Sequence, residues 1–300
     1  MVELAGQVGA LMVALEHRYY GPSNPFDDLA TEHLQWLNTE QALADIATFH
    51  AKISSDFSLE ASNKWVTWGG SYPGMVSALA RLRYPHLIHA SVSSSSPLVG
   101  AVEMPGYNNV VAQSMASEDV GGSPACLSAI KTGHATIGDM LKTSKGRDSL
   151  AKTFNLCDAS SLEDERNQEQ FAGDGVVYLP VQSNDPSCSS PYCDISSICT
   201  LLTNETAGSP VDRLAILSSA QQGSKCVAVN YDGMLASMKL PSNPDRSWVY
   251  QTCTEWGFYQ TCNEGSECPY TQGLHTLSVD YDICQAAFGI SKEDVDREGK

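Results

Sequence analysis

Trp65-Val66-Thr67-Trp68-Gly69-Gly70-Ser71-Tyr72-Pro73-Gly74-Met75 is the stretch from which the fold can be read. A short β-type run meets a glycine-flanked serine, and a helix-compatible run from Val76 to Tyr84 follows. The order is strand, tight turn, candidate nucleophile, helix. It matches G-x-S-x-G with one departure, because Pro73 holds the last position and the glycine comes one later, at Gly74. A serine hydroxyl is a weak nucleophile unless it is held out on a strained turn, within reach of a base and beside backbone N–H donors. Glycines next to it let the chain take angles that other residues resist. Read alone, the same letters also spell an ordinary Gly-Ser-Pro-Gly loop, so the flanking sequence has to decide.

Working outward, Val8 to Leu15 is an apolar run of a length that suits a strand buried on both faces. It ends in the polar, aromatic segment Glu16-His17-Arg18-Tyr19-Tyr20-Gly21-Pro22-Ser23. Asn38 or Thr39 can cap a helix to about Ser54, with Leu43, Ile46, His50 and Ile53 at helical spacing. After the serine helix ends near Tyr84-Pro85, Ile88 to Val92 reads as a further strand. Residues 8–97 therefore alternate β-α-β-α-β, the mark of a parallel α/β sheet.

Beyond Gly100 the character changes to helices joined by cysteine-bearing loops. Leu127, Ile130, Ile137 and Leu141 share one helical face, and Ser209-Pro210 opens another helix with proline at its favoured first position. This reads as an inserted helical cap. Near Trp248 the chain turns dense in aromatics, Leu277, Tyr281, Cys284 and Phe288 form a helical stripe, and Ser291 to Asp294 looks like a capping box. The expected organisation is residues 1–100 as the first part of an α/β core, 101–245 as the cap, and 246–300 as an incomplete return to the core, with the core truncated at both ends.

Composition narrows the class. A hydrophobic fraction of 42% with 18% charged residues is that of a globular chain. Eighteen Lys and Arg against 35 Asp and Glu give a net charge of −17, which disfavours nucleic acid and anionic membranes. No apolar run approaches the ~20 residues that span a bilayer. Ten cysteines, nine of them between Cys157 and Cys284, point to disulfides and an oxidising compartment. Asn204-Glu205-Thr206 is a glycosylation sequon. The start has no signal-peptide pattern, so the expectation is a secreted or lysosomal chain whose signal peptide is missing. The cysteine spacings suit zinc poorly, so neither a metal nor another cofactor is expected. Roughly nine hundred disulfide pairings remain open.

Ser71 requires a base, usually a histidine held by a carboxylate that follows the nucleophile in the chain. His17 and His33 precede the serine, and His50 sits on the apolar face of a helix. His86 and His89 flank the next strand at the wrong end of the sheet, and His134 lies in a cap helix. His275 comes late, but no strand precedes it, and Asp280 and Asp282 follow it in reversed order. The inference is that acid and base lie outside these 300 residues. Trp248, Tyr250, Trp256, Phe258 and Tyr259 read as core by default. The alternative is a pocket wall of which Trp256 is part, with Glu255 as an anionic anchor for a substrate's amino terminus.

Four segments together carry a specific resemblance: Glu16 to Gly21, Thr39-Glu40-Gln41-Ala42-Leu43-Ala44-Asp45, Gly69 to Met75, and Tyr250-Gln251-Thr252-Cys253-Thr254-Glu255. In this order they resemble the serine carboxypeptidase family of lysosomal Pro-Xaa carboxypeptidase, dipeptidyl peptidase II and thymus-specific serine protease. The continuation Phe258-Tyr259-Gln260-Thr261 leans toward the thymus-specific branch. The resemblance runs from residue 8 to about 290 and implies an α/β-hydrolase core with a helical, disulfide-bearing cap. It implies a serine exopeptidase, proline-directed carboxypeptidase or dipeptidyl-peptidase in class, that acts on peptides through an acyl-enzyme. Ser71 carries over as nucleophile, the Tyr72 backbone N–H as one oxyanion donor, and Met75 as similar to a pocket-lining residue. The second donor, the aspartate and the histidine fall outside this chain, which alone is expected to have little activity. Pro73 is expected to be tolerated, since it leaves the Tyr72 donor intact. Two other readings stand beside this one: a non-catalytic peptide-binding relative, and an esterase or lipase on the same fold. A homodimer is left open.

Overall fold

The computed structural model describes residues 1–185, 187–223 and 225–299. Among them the helices are, in chain order, α1 (Val2–Val8), α2 (Thr39–Asp56), α3 (Tyr72–Arg83), α4 (Pro105–Ala116), α5 (Pro124–Leu141), α6 (Ser144–Thr153), α7 (Glu165–Ala172), α8 (Ile195–Leu202), α9 (Pro210–Gln222), α10 (Tyr231–Met238), α11 (Arg246–Gln251), α12 (Leu277–Phe288) and α13 (Lys292–Glu298). The strands are β1 (Val66–Gly70), β2 (Ala90–Ser94), β3 (Ala101–Glu103) and β4 (Gly257–Tyr259). The chain is helix-rich, with few strands and several disulfides. It divides into two compact units, one of residues 1–101, 238–258 and 288–300, the other of residues 102–237 and 259–287.

In the first unit, β1 and β2 pair in parallel, with Val66 opposite Ala90 and Gly70 opposite Ser94. Parallel pairing demands a crossover, and α3 supplies it. Helix α3 turns Tyr72, Val76 and Ala80 inward, where they pack with Leu43 of α2 and with Ile88. Helix α2 starts where the sequence asks for it: the Asn38 side chain accepts from the Gln41 N–H at 2.9 Å and so satisfies one orphan donor of the first turn. His50 lies against the Trp65 ring, at 4.5 Å between centroids.

Two sequence expectations are corrected here. The strand expected at Val8–Leu15 does not form. Val8 ends α1, and Leu11, Met12, Val13 and Leu15 are 39–51% exposed without regular structure. An apolar run records a propensity, whereas a strand exists only where a neighbouring backbone takes up its hydrogen bonds, and among the described residues β1 pairs with β2 alone. The second strand lies two residues later than Ile88–Val92. Ile88 is core, 1% exposed, and the ladder begins at Ala90.

Arg246 anchors the later part of this unit. It is 2% exposed, and its guanidinium donates to the Leu29 carbonyl at 2.8 Å, to the Met238 carbonyl and to the Thr31 hydroxyl, while lying over the Phe288 ring. Burial lowers its pKa below the ordinary arginine value.

The second unit is a helical assembly around α5, whose Cys126, Ile130, Ile137 and Leu141 are buried along the expected face. Leu150, Leu162, Ile198 and Leu214, all fully buried, close the core around it. Ser209 caps α9 with a reciprocal Ser209–Asp212 capping box. Disulfides join Cys126 to Cys199, Cys157 to Cys226, Cys188 to Cys193 and Cys262 to Cys268. The first two close loops of 73 and 69 residues, the kind that restrict the unfolded chain most, by about 4 kcal/mol each. No described helix is long and apolar enough to cross a membrane.

Candidate active site

The turn between β1 and α3 holds Ser71 at φ 57°, ψ −132°, a conformation non-glycine residues rarely take. Such a residue costs about 1–3 kcal/mol and persists only where its surroundings impose it. They do so here. The Ser71 N–H donates to the Ser94 carbonyl at 3.0 Å, which ties the turn to the end of β2. A Cβ on Gly69 would lie 2.2 Å from the Pro73 carbonyl oxygen, and one on Gly74 would lie 2.1 Å from Ser96 Oγ. Strand end and helix start thus approach so closely that only glycine fits on both sides. Gly74 takes over the close-approach role that the motif usually gives to the position before it. Pro73 stands at the start of α3, where a missing N–H leaves no helical bond unmade.

Ser71 is exposed, and its hydroxyl has no hydrogen-bond partner among the described residues. The neighbouring Tyr72 N–H opens α3, where first-turn amides have no intrahelical acceptor and the helix presents its positive end. The turn therefore offers an outward hydroxyl beside an unspent donor, an arrangement suited to attack on a carbonyl.

The Tyr72 side chain points the other way, into the first unit, 7% exposed. Its phenol oxygen meets three chain segments: His17 Nε2 at 3.0 Å, Gln251 Nε2 at 3.0 Å and Thr39 Oγ1 at 3.4 Å. The ring stacks on Trp256 at 4.8 Å and meets Trp248 edge-on at 5.9 Å. Burial pushes the phenol up to about 12, against the pull of the Thr39 and Gln251 hydrogen bonds. Burial likewise lowers His17, keeping the imidazole neutral more readily than a free one.

Glu255 sits beside this network on a π-helical turn, Thr252–Trp256, a distortion that concentrates at functional sites. Its carboxylate accepts from the Thr39 N–H at 2.6 Å, from the Thr39 hydroxyl at 3.2 Å and from Gln251 Nε2 at 3.1 Å. Burial raises its pKa, and the Thr39 and Gln251 donors oppose that. Met75 and Trp256 are half-buried and pack against the Leu43, Tyr72 and Val76 cluster. Trp248 departs from the core reading: it is 43% exposed, meeting Tyr72 edge-on and Trp256 at a tilt.

Tyr72, Glu255 and Trp256 are thus brought together, and Ser71 and Met75 share the turn and helix that carry Tyr72. His17, Thr39, Gln251 and Tyr20 belong to the same cluster, although no motif for chemistry singled them out. Their signal was indirect: each lies in or beside one of the segments Glu16–Gly21, Thr39–Asp45 and Tyr250–Glu255. Arg18 and Asp45 link two of those segments by a bidentate ion pair at 2.6 Å.

His275, weighed as a base from sequence, belongs to the second unit, flanked by Asp174 at Nδ1 and by Asp280 at 3.4 Å from Nε2. Both nitrogens face carboxylates, which outweigh burial and raise its pKa to about 10. An imidazolium locked between two anions is a poor proton acceptor. His134 is fully buried, and burial holds it near 3. Asn204 is exposed, with its Oδ1 accepting from the Thr206 hydroxyl at 2.7 Å. Among the described residues no three His, Cys, Asp or Glu side chains are grouped to hold a metal ion.

Comparison with known proteins gives a consistent picture. A family model described as serine carboxypeptidase S28 matches residues 1–298. Thymus-specific serine protease of Mus musculus is 33% identical over 305 residues, covering 97% of this chain and 59% of its own length. The Homo sapiens protein of that name is 34% identical, over 96% of this chain and 58% of its own length. Lysosomal Pro-X carboxypeptidase of Mus musculus is 27% identical, over 97% of this chain and 60% of its own length. The chain thus spans about three-fifths of the length of these relatives.

Proposed function

Because the chain belongs to the serine carboxypeptidase S28 family, whose members are serine peptidases, we propose that it is the nucleophile-bearing part of a serine exopeptidase. The observation that carries this reading is the Ser71 turn, a strained, exposed serine at the start of α3 with the Tyr72 N–H beside it. Ser71 Oγ attacks the scissile carbonyl of a peptide, its proton passing to a base. The Tyr72 N–H stabilises the oxyanion, the amine leaves, and water then releases the acyl group. The substrate's side chain lies against Met75 and Trp256, with Glu255 as the acidic end of that wall. Similarity to lysosomal Pro-X carboxypeptidase supports a proline-directed specificity.

The first unit is, in this reading, part of an α/β-hydrolase core, with residues 101–245 as its helical cap. The disulfides and the lysosomal relative support a secreted or lysosomal location, with a glycan on Asn204. In this reading no described residue serves as the base or the acid. The Ser71 hydroxyl bonds no histidine, and His275 is committed to Asp174 and Asp280. The 300-residue chain alone therefore turns over slowly, since losing triad members commonly costs several orders of magnitude.

A non-catalytic, peptide-binding relative is the second reading, favoured by that same unpartnered hydroxyl. One experiment separates the two: fluorophosphonate labelling of the protein expressed with the coding sequence that flanks these 300 residues, with Ser71→Ala as control. Labelling that depends on Ser71 supports the peptidase, and labelling unchanged by Ser71→Ala, or none at all, sinks it.

A further inference from the structure

We propose that His17 is a positioning residue for the Ser71 turn, acting through the Tyr72 phenol to aim the Tyr72 backbone N–H. The inference rests on reading Ser71 as the nucleophile and Tyr72 N–H as its oxyanion donor, and it names the group that holds that donor in direction. Tyr72 is one residue with two tasks. Its backbone opens α3 beside Ser71, and its side chain is gripped inside the first unit. As the first residue of α3, Tyr72 has its φ held near helical values, so its N–H and Cβ directions are linked and a ring that cannot turn restrains the amide as well.

Donor and acceptor chemistry fixes the direction of the two shortest contacts to the Tyr72 phenol. His17 Nδ1 faces the Arg18 carbonyl at 2.7 Å, and a carbonyl only accepts, so Nδ1 carries the imidazole proton. Nε2 is then a lone pair, and the Tyr72 O–H donates to it across 3.0 Å. Gln251 Oε1 is taken by the Tyr20 O–H at 2.7 Å, which turns the Gln251 NH2 toward Tyr72 at 3.0 Å and toward Glu255 at 3.1 Å. Gln251 can only donate to the phenol. The competing acceptor for the phenol proton is Thr39 Oγ1, at a longer 3.4 Å. His17 is therefore the short-range acceptor on which the orientation of a buried phenol depends, and removing it leaves that O–H poorly satisfied. A ring needed only for packing would not require its tip to be met from three distant segments.

The test needs neither a base nor turnover. Among the described residues no cysteine is free, so Ser71→Cys introduces a single thiol at the N-terminus of α3. Its thiolate is a local probe of the donors the turn presents, read as the pH profile of alkylation by iodoacetamide. The expected thiol titrates below the ordinary value of about 8.5. Adding His17→Ala raises it and slows alkylation at pH 7 by about threefold or more, and Tyr72→Phe does the same. The two together do no more than either alone, because both break one linkage. His17→Gln, whose amide oxygen can accept in place of Nε2, restores the parent profile. An ordinary thiol in the Ser71→Cys parent, an unchanged profile with His17→Ala, or additive effects would each overturn the proposal. Should His17→Ala fail to fold, Tyr72→Phe must still raise the thiol and His17→Gln must not. Failure of fluorophosphonate labelling would reject the peptidase reading without touching this titration, so the two failures are distinguishable.

Discussion

The Ser71 N–H donates to the Ser94 carbonyl at 3.0 Å, so the turn that carries the candidate nucleophile is bonded to the last residue of the neighbouring strand. The bond leaves the turn little freedom to relax, and Gly69 bears the consequence. Gly69→Ala would drive a Cβ to 2.2 Å from the Pro73 carbonyl oxygen, against the Pro73–Gly74 backbone. The expected loss is about 3 kcal/mol. Gly70, next along, would meet nothing closer than Ser94 O at 3.8 Å. Gly70→Ala should therefore stay within about 1 kcal/mol. Urea unfolding followed by tryptophan fluorescence compares the two, and equal losses would contradict the close-approach argument.

Glu255 joins the start of α2 to the π-helical turn through the Thr39 N–H and hydroxyl. Glu255→Ala strands the partly buried Thr39 N–H and should lower stability by about 1 kcal/mol. Glu255→Gln keeps one acceptor oxygen and should lose less than half of that. Thermal melts of the two variants check the order, and an alanine variant as stable as the parent would contradict it.

Arg246 is a buried cation satisfied by the Leu29 and Met238 carbonyls and the Thr31 hydroxyl. Removing it by Arg246→Ala leaves those acceptors unmet and opens a void, and should cost about 3 kcal/mol or more. Arg246→Lys has donors enough, but a single nitrogen cannot reach acceptors set around three guanidinium nitrogens, so it should recover only part. Denaturant midpoints of both variants against the parent measure this.

In the second unit His275 has its pKa raised to about 10 by the Asp174 and Asp280 carboxylates, against an ordinary value of 6.5. The folded state binds the proton more tightly than the unfolded state. This contribution is therefore full below pH 6.5 and is lost as pH rises through about 10. The melting temperature should fall over that window, by something on the order of 5 °C. His275→Gln should flatten that slope. Melting curves at fixed ionic strength between pH 6 and 10 decide it, and a slope that survives the substitution would assign the loss to other groups.

Elements written in neighbouring residues were legible before any coordinates. The β1–turn–α3 order could be read from residues 65–84, the start of α2 from Asn38 or Thr39, the start of α9 from Ser209-Pro210, and the capping box at Ser291 from the side chains that form it. The buried face of α5 followed from helical spacing. Each depends on contacts within a few residues, and such contacts are encoded locally. The segment Val8–Leu15 shows the limit of that reasoning. Its apolar composition is unambiguous, yet it forms no strand, because a strand's hydrogen bonds belong to another segment.

What the amino-acid sequence determined by itself was the serine turn, its helix, the family resemblance and a disulfide-rich chain. The tertiary structure alone decided which cysteines pair and what surrounds the turn. Tyr72 could be named from the sequence as an amide donor, but nothing in its neighbours says that His17, Thr39 and Gln251, 55, 33 and 179 residues away, meet its phenol. Nor does spacing say that His275 is held between two carboxylates. Long-range polar contacts carry no periodic signature, since they depend on where folding delivers each segment and on which proton each atom is left to give or accept.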